Sequence, residues 1–489
     1  MQTGTWGAIL GTGAVFGLFA ACSLDLDESL IPSEGGVGAQ AGAAGTGGTG
    51  ASGGTGGSGG TGGKIIDAGG SCDADKQCET EGGCIEGRCA TGTCVYEICP
   101  VTTACTARSC DTSASTCSSP SSFGFKAHTV PLNDEVGCSG IASRCVAGMD
   151  DYVFVGTTAG LLAYRVLSPS APELINVQAP PFAITRMIAT ERRLIILGPT
   201  ASNKLSIAWI ALPTDPLATD LTTSTAAVDF TDTYSTMYPA NADGFYLVQN
   251  NAGNLYPSAL LAPPLTNQTA VTLFPAAGLP SGQAVVASSG KRLVTYRTDT
   301  SGSVQKPTFG FVQDAGTSNA QGSTTEQSFD FDAPISLGAH QFHSGYEGSL
   351  VWSTNRLSQD DGGALQSDAV MLYWPLVGDL TTFDDKASVV VASYNKGSQN
   401  SVLAGQTALI SPSLAITTAA YPPDPQQTLV RSVIRSGTSL ALGSETPPVL
   451  SFGITQIGVA ASRRFGFILT PSSQTPSLKT TLHIFAPGC

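Results

Sequence analysis

Few side chains in this 489-residue sequence could do chemistry, and their spacing decides what kind. The four histidines are His128, His340, His343 and His483. His340-Gln-Phe-His343 would set two imidazoles on one side of a helical turn, where they could share a metal ion. The flanking residues read as loop, so two solvated histidines are the expectation there. Asp330 with Asp332, and Asp360-Asp361 with Asp368, lie in Gly/Ser-rich connections. Such carboxylates can hold calcium or divide acid–base work, but in connections of this composition a solvated turn is the simpler reading. Asp73-Ala-Asp75-Lys-Gln77 begins like a calcium loop, yet Cys78 stands where such a loop needs glycine. The sequence has no G-x-S-x-G elbow, no H-E-x-x-H and no Gly-rich phosphate loop. It therefore assigns no catalytic residue, no metal site and no cofactor.

Cysteine is the other reactive type, with 13 copies. Nine of them recur every few residues: Cys72, Cys78, Cys84, Cys89, Cys94, Cys99, Cys105, Cys110 and Cys117. Zinc sites need C-x-x-C pairs or histidine, and this stretch has neither. It also has hardly any large apolar side chain, so disulfides must hold it together. Setting Cys22 aside, the remaining twelve form an even set with Cys138, Cys145 and Cys489, which fits paired thiols in an oxidising compartment. Nine in one module leaves one to pair outside it. Either Cys138 bonds Cys145 and Cys489 takes the odd module cysteine, or Cys489 takes one of that pair and the other takes the module cysteine. Both arrangements staple the C-terminus back near the start of the large domain.

The elements around these residues begin with an apolar run, Gly7 to Ala21, too short to span a membrane and suited to a signal peptide. It ends in Leu18-Phe19-Ala20-Ala21-Cys22, which resembles the lipobox of bacterial lipoproteins. That resemblance implies removal of residues 1–21 and lipidation of Cys22. Ser23, rather than Asp, follows it, which in that family implies the outer membrane. Residues 22–63 then form a tether rich in Gly, Thr, Ala and Ser, similar to those of some Gram-negative surface lipoproteins. Such a segment buries nothing to offset ordering and should stay a coil with a reach of roughly 30 Å. The disulfide-rich module takes residues 64–120 and a large domain residues 121–489.

The large domain repeats. Arg144-Cys-Val-Ala147-Gly-Met-Asp-Asp151-Tyr-Val-Phe-Val155 aligns without a gap to Arg186-Met-Ile-Ala189-Thr-Glu-Arg-Arg193-Leu-Ile-Ile-Leu197. The pattern returns at Val285–Tyr296 and Ile457–Ile468, with weaker copies around Asn241–Val248, Tyr346–Trp352 and Gly405–Ile410. Each copy reads as a strand, a tight polar turn and a second strand. Second strands are expected near Tyr152, Leu194, Phe245, Leu293, Leu350, Leu409 and Phe465. Seven starts about 40–60 residues apart give the period of a four-stranded blade, so the fold expected is an all-β propeller of about seven blades, with six or eight as neighbours and one or two β-sandwiches as the rival. Tyr164, Trp209, Tyr296, Trp352 and Trp374 are expected to pack between blades, and Arg192-Arg193 and Arg463-Arg464 to fill turns.

A net charge of −14 argues against nucleic acid as a partner. With no catalytic constellation, the expected function is a non-catalytic surface lipoprotein. It would be held to the membrane by its lipid and would present the propeller to a protein or glycan. The alternative is an extracellular hydrolase or lyase with its site at the channel.

Overall fold

The computed structural model describes residues 127–486 apart from several connections between strands, the longest being 375–387, together with short strands between residues 85 and 122. Seven antiparallel sheets follow one another in chain order, and no described residue is in an α-helix. Each sheet begins with a strand rich in Val, Ala, Ile and Met. These inner strands are Val146–Met149, Arg186–Ala189, Thr236–Pro239, Ala284–Ser289, Ile335–Ser344, Ala404–Ser411 and Gly458–Ala461. Neighbouring inner strands pack in succession, and the seventh packs on the first, so the sheets form a closed ring of seven blades.

The second strands start at Tyr152, Arg193, Phe245, Arg292, Leu350, Leu414 and Gly466. Six of these fall within a residue of the sequence expectation. The exception is blade 6, where Leu409 lies on the inner strand and the second strand is Leu414–Tyr421. Both strands there are largely apolar and buried up to their last residue, so the pattern alone does not separate them. Inner and second strands are buried on both faces because blades press on both sides. The third strand of blade 1 already alternates half-buried and buried positions, as expected nearer the periphery.

The ring is closed by pairing rather than by simple contact. Ala127–Pro131, the first strand of the large domain, is the outer strand of the last blade and pairs antiparallel with Thr481–Phe485. Edges are shared between blades too. Asp220–Leu221, from the blade 2 segment, adds a parallel strand to the edge of blade 1. Ala270–Val271, from the blade 3 segment, does the same for blade 2. Blade 3 itself has three strands.

Glycine permits the tightest approach in the ring. A Cβ on Gly148 of blade 1 would sit 1.8 Å from the carbonyl oxygen of Ala461 in blade 7. The core divides by blade pairs, the largest cluster joining blades 7, 1 and 2 through Phe154, Val155, Leu194, Ile196, Phe465 and Phe467.

Cys138 and Cys145 are joined by a disulfide with a Cα–Cα distance of 5.8 Å. It closes a loop of two 3-10 turns that leads from the closing strand into blade 1. Cys117 is also disulfide-bonded, on a strand whose backbone pairs Cys117 with Cys110. Cys89 and Cys94 are backbone register partners in the hairpin of Ile85–Ala90 and Thr93–Ile98. Cys22, Cys72, Cys78, Cys84, Cys99, Cys105 and Cys489, and with them the signal, the tether and the proposed C-terminal staple, lie outside the described residues.

Candidate functional site

The two neighbouring histidines are strand residues, not loop residues. Both belong to the inner strand of blade 5, Ile335–Ser344. Three steps along a strand reverse the side-chain direction, so the pair cannot converge on a metal as it would on a helix. His340 faces blade 4. Its Nε2 lies 3.3 Å from the Tyr296 hydroxyl and its Nδ1 2.9 Å from Thr354 Oγ1. His343 faces blade 6 and its Nε2 accepts from the backbone N–H of Thr407 at 2.9 Å. That bond requires a neutral ring with the proton on Nδ1. Burial pushes His340 down to about 4 and His343 down to about 3. The expectation of solvated loop histidines is thus overturned. Gly338-Ala-His340 contains a bulge, and the polar, Gly-bearing stretch disguised a buried strand. His483 lies on the third strand of blade 7, bonded to Thr470 Oγ1 at 3.2 Å, and burial pushes it down to about 4.

The arginine pairs do more than fill turns. Arg464 Nε donates to Asp151 Oδ1 at 2.8 Å, with the two side chains 1% and 3% exposed. Arg463 Nη1 bonds Asp150 Oδ1 at 3.0 Å and its backbone N–H bonds the Asp150 carbonyl. Asp150-Asp151 lies in the turn before the second strand of blade 1 and Arg463-Arg464 in that before the second strand of blade 7, so the same turn of the repeat carries acid in one blade and base in its neighbour. Arg193 of blade 2 reaches Asp243 of blade 3 at 2.8 Å in the same way. The alignment held this signal, since Asp151 and Arg464 occupy equivalent places with opposite charge.

The aromatics pack between blades as expected. Tyr296 of blade 4 lies 6.0 Å from Trp352 of blade 5, which stacks on Tyr373 at 4.8 Å. Trp209 and Trp374 are buried, while Tyr164 is half-buried. Asp330, Asp332, Asp360 and Asp361 lie outside the described residues, and Asp368 is on the third strand of blade 5 with its backbone opposite Leu357 and Tyr394. Among the described residues no three His, Cys, Asp or Glu side chains gather as metal ligands would. His128, on the closing strand, is half-buried opposite Ile484.

The opposite face of the ring, where inner strands begin, carries the other notable polar group. Arg186 opens the inner strand of blade 2, is 4% exposed and donates from Nη1 to Thr236 Oγ1 of blade 3 at 2.7 Å. Gln406 of blade 6 bridges to blade 7, donating to the Ile457 carbonyl at 3.2 Å and accepting from the Val459 N–H at 3.0 Å. The 3-10 turn Ala142–Arg144 packs against the inner strands of blades 2 and 7. A Cβ on Gly458 would meet the Ala142 carbonyl oxygen at 2.3 Å.

No family model matches the chain, and no curated protein matches it. Solved structures of similar shape include the virginiamycin B lyase of Staphylococcus aureus, 6% identical with a TM-score of 0.36 over 74% of this chain and 99% of that one. The β-propeller domain of the Trilobed protease from Pyrococcus furiosus is 7% identical with a TM-score of 0.37, over 73% and 94%. A polysaccharide lyase of family PL25, an ulvan lyase, is 8% identical with a TM-score of 0.33, over 75% and 96%. At these identities and scores the matches assign no residue a role.

Proposed function

We propose that this chain is a non-catalytic surface lipoprotein whose propeller binds a protein or glycan outside the cell. One observation carries the binding reading. The described side chains best suited to acid–base work are engaged inside the seams between blades: His340 and His343 beside blade 5, and Asp151 with Arg464 at the ring closure. They are spent on holding a rigid ring, which suits a scaffold that presents loops and rims. Lipidation at Cys22 and residence at the outer membrane or cell surface rest on the Leu18–Cys22 motif and the Gly/Thr tether. The tether would hold the ring off the bilayer, and two or more acyl chains on one cysteine would anchor it stably.

The test has two parts. Cys22→Ser should move the protein from the membrane to the soluble extracytoplasmic fraction; membrane partition equal to that of the native chain sinks the anchor. The mature protein, incubated with polysaccharide and peptide arrays, should retain a ligand and leave it intact. Release of cleaved product would instead establish the hydrolase or lyase alternative.

A further inference from the structure

The seam between blades 5 and 6 buries polar atoms that the protein itself does not satisfy. The second strand of blade 5 is Leu350–Gln359, and its side chains point alternately to the two neighbouring blades. Trp352 turns to Tyr296 of blade 4, while Val351 packs in the cluster shared with blade 6. Ser353 and Asn355 fall on the side of Val351 and so face blade 6. His343 faces it too, through its bond to the Thr407 N–H. All three side chains are at most 3% exposed. Ser353 Oγ, Asn355 Oδ1 and His343 Nδ1 are buried, and none has a hydrogen-bond partner among the described residues.

Strand register puts the three on one face, side by side. His343 stands opposite Val351 and Ser353 opposite Gln341, so His343 and Ser353 are diagonal neighbours. Asn355 follows Ser353 by two residues, about 7 Å along the strand. Its own partner is Gly338, which has no side chain to fill the space beside it. The inner strand of blade 6 packs across both strands. A Cβ on Gly466 of blade 7 would meet Ile416, so Thr417 and Ala419 point the other way, and with them their register partners Thr407 and Ala404. The Thr407 and Thr417 hydroxyls bond each other at 2.8 Å, and only one of them can donate to the other. Blade 6 thus offers short side chains here, and sheets packed face to face stand about 10 Å apart.

A buried polar group left unmet costs more than a hydrogen bond contributes, and folded proteins meet such groups with protein or with ordered water. The three atoms differ in what they need. His343 Nδ1 carries the ring proton and can only donate, Asn355 Oδ1 can only accept, and the Ser353 hydroxyl can do both. An anion would serve the donors but be repelled by Asn355 Oδ1. A metal ion would need the lone pair that the proton on Nδ1 occupies. Water donates and accepts at once, and one or two molecules bridge separations of this size.

We infer that the seam between blades 5 and 6 is a water-binding site, in which ordered water joins His343 Nδ1, Ser353 Oγ and Asn355 Oδ1 as a fixed part of the ring. The inference stands apart from the binding reading above.

A high-resolution crystal structure of the mature protein tests it, with a second crystal soaked in sodium bromide. Ordered water should lie within about 3.2 Å of each of the three atoms, and bromide should not enter. A seam without solvent, or His343 Nδ1 bonded directly to a protein oxygen, overturns the site. Bromide found there by its anomalous signal overturns the water assignment in favour of an anion. Asn355→Leu decides the same question in solution, since it removes the polar atoms and nearly keeps the shape. In a hydrated seam it strands the water and its donors and should lower the urea midpoint, whereas in a dry seam it removes an unmet acceptor and raises it. A midpoint unchanged or raised overturns the hydrated seam.

Discussion

Acid should loosen this ring well before its carboxylates protonate. Burial holds His340, His343 and His483 neutral, down to about 4, 3 and 4 in the folded chain. Unfolded, each would titrate near 6.5. As pH falls below about 6.5 the unfolded chain takes up three protons that the folded chain refuses. Stability rises with pH wherever the unfolded state holds more protons, so here it is lost on acidification, and each loss ends only near the folded value. The rate is about 1.4 kcal/mol per pH unit for each histidine, or about 4 kcal/mol per unit for three. From pH 6.5 to 5 that is about 6 kcal/mol, or about 5 kcal/mol once the less buried His483 is discounted. A domain of this size unfolds with an entropy of roughly 0.7–0.8 kcal/mol per degree, so the melting temperature should fall by roughly 6 °C. Calorimetry at pH 7, 6 and 5 measures it. His343→Gln keeps an acceptor for the Thr407 N–H and removes one proton site, so its dependence on pH should be about a third shallower. A melting temperature flat between pH 7 and 5, or an unaltered slope in His343→Gln, would refute the argument.

Three further outcomes follow from the geometry. Arg464→Met strands the buried Asp151 carboxylate and should cost about 3–5 kcal/mol, most of it recovered in the Asp151→Leu/Arg464→Met double variant, as urea denaturation would show. Gly148→Ala drives a methyl group into the backbone of blade 7 and should cost at least about 1–3 kcal/mol, read as a lowered urea midpoint with an unchanged m-value. Replacing Cys138 and Cys145 by serine opens a short loop and should cost about 2–3 kcal/mol, with a guanidinium midpoint unaltered from native counting against it.

The blade repeat was legible because each copy couples an apolar strand to a tight polar turn, and six of seven second strands begin where that pattern says. Blade 6 slipped because its first two strands, Ala404–Ser411 and Leu414–Tyr421, are equally apolar and buried, which erases the contrast between them. The closing strand was invisible for a different reason. Ala127–Pro131 is short, half-polar and separated from its partner by nearly the whole domain, and no local pattern announces such a pairing. The ring closure is made by strand pairing, and the expected Cys489 staple lies outside the described residues. The histidines were misread, and the ion pairs of the turn arginines went unseen, because their partners lie on other blades. His343 meets Thr407 across 64 positions, and Arg464 meets Asp151 across 313. Periodicity reports which way a side chain points, not which blade it meets.

The first strand of the domain also sets a timetable. Pro131 precedes its partner Thr481 by 350 positions (481 − 131), so at roughly 5–20 residues per second it waits about 20–70 s for that partner to be synthesised. Throughout that interval the ring cannot close, and the blades made so far stand with an open end. A long apolar strand left waiting would invite pairing with another chain. This one is five residues long, ends in a proline without an N–H to donate, and exposes Thr129. Its weakness as a template is what makes the delay safe, and its docking is the last event that turns a row of blades into a ring.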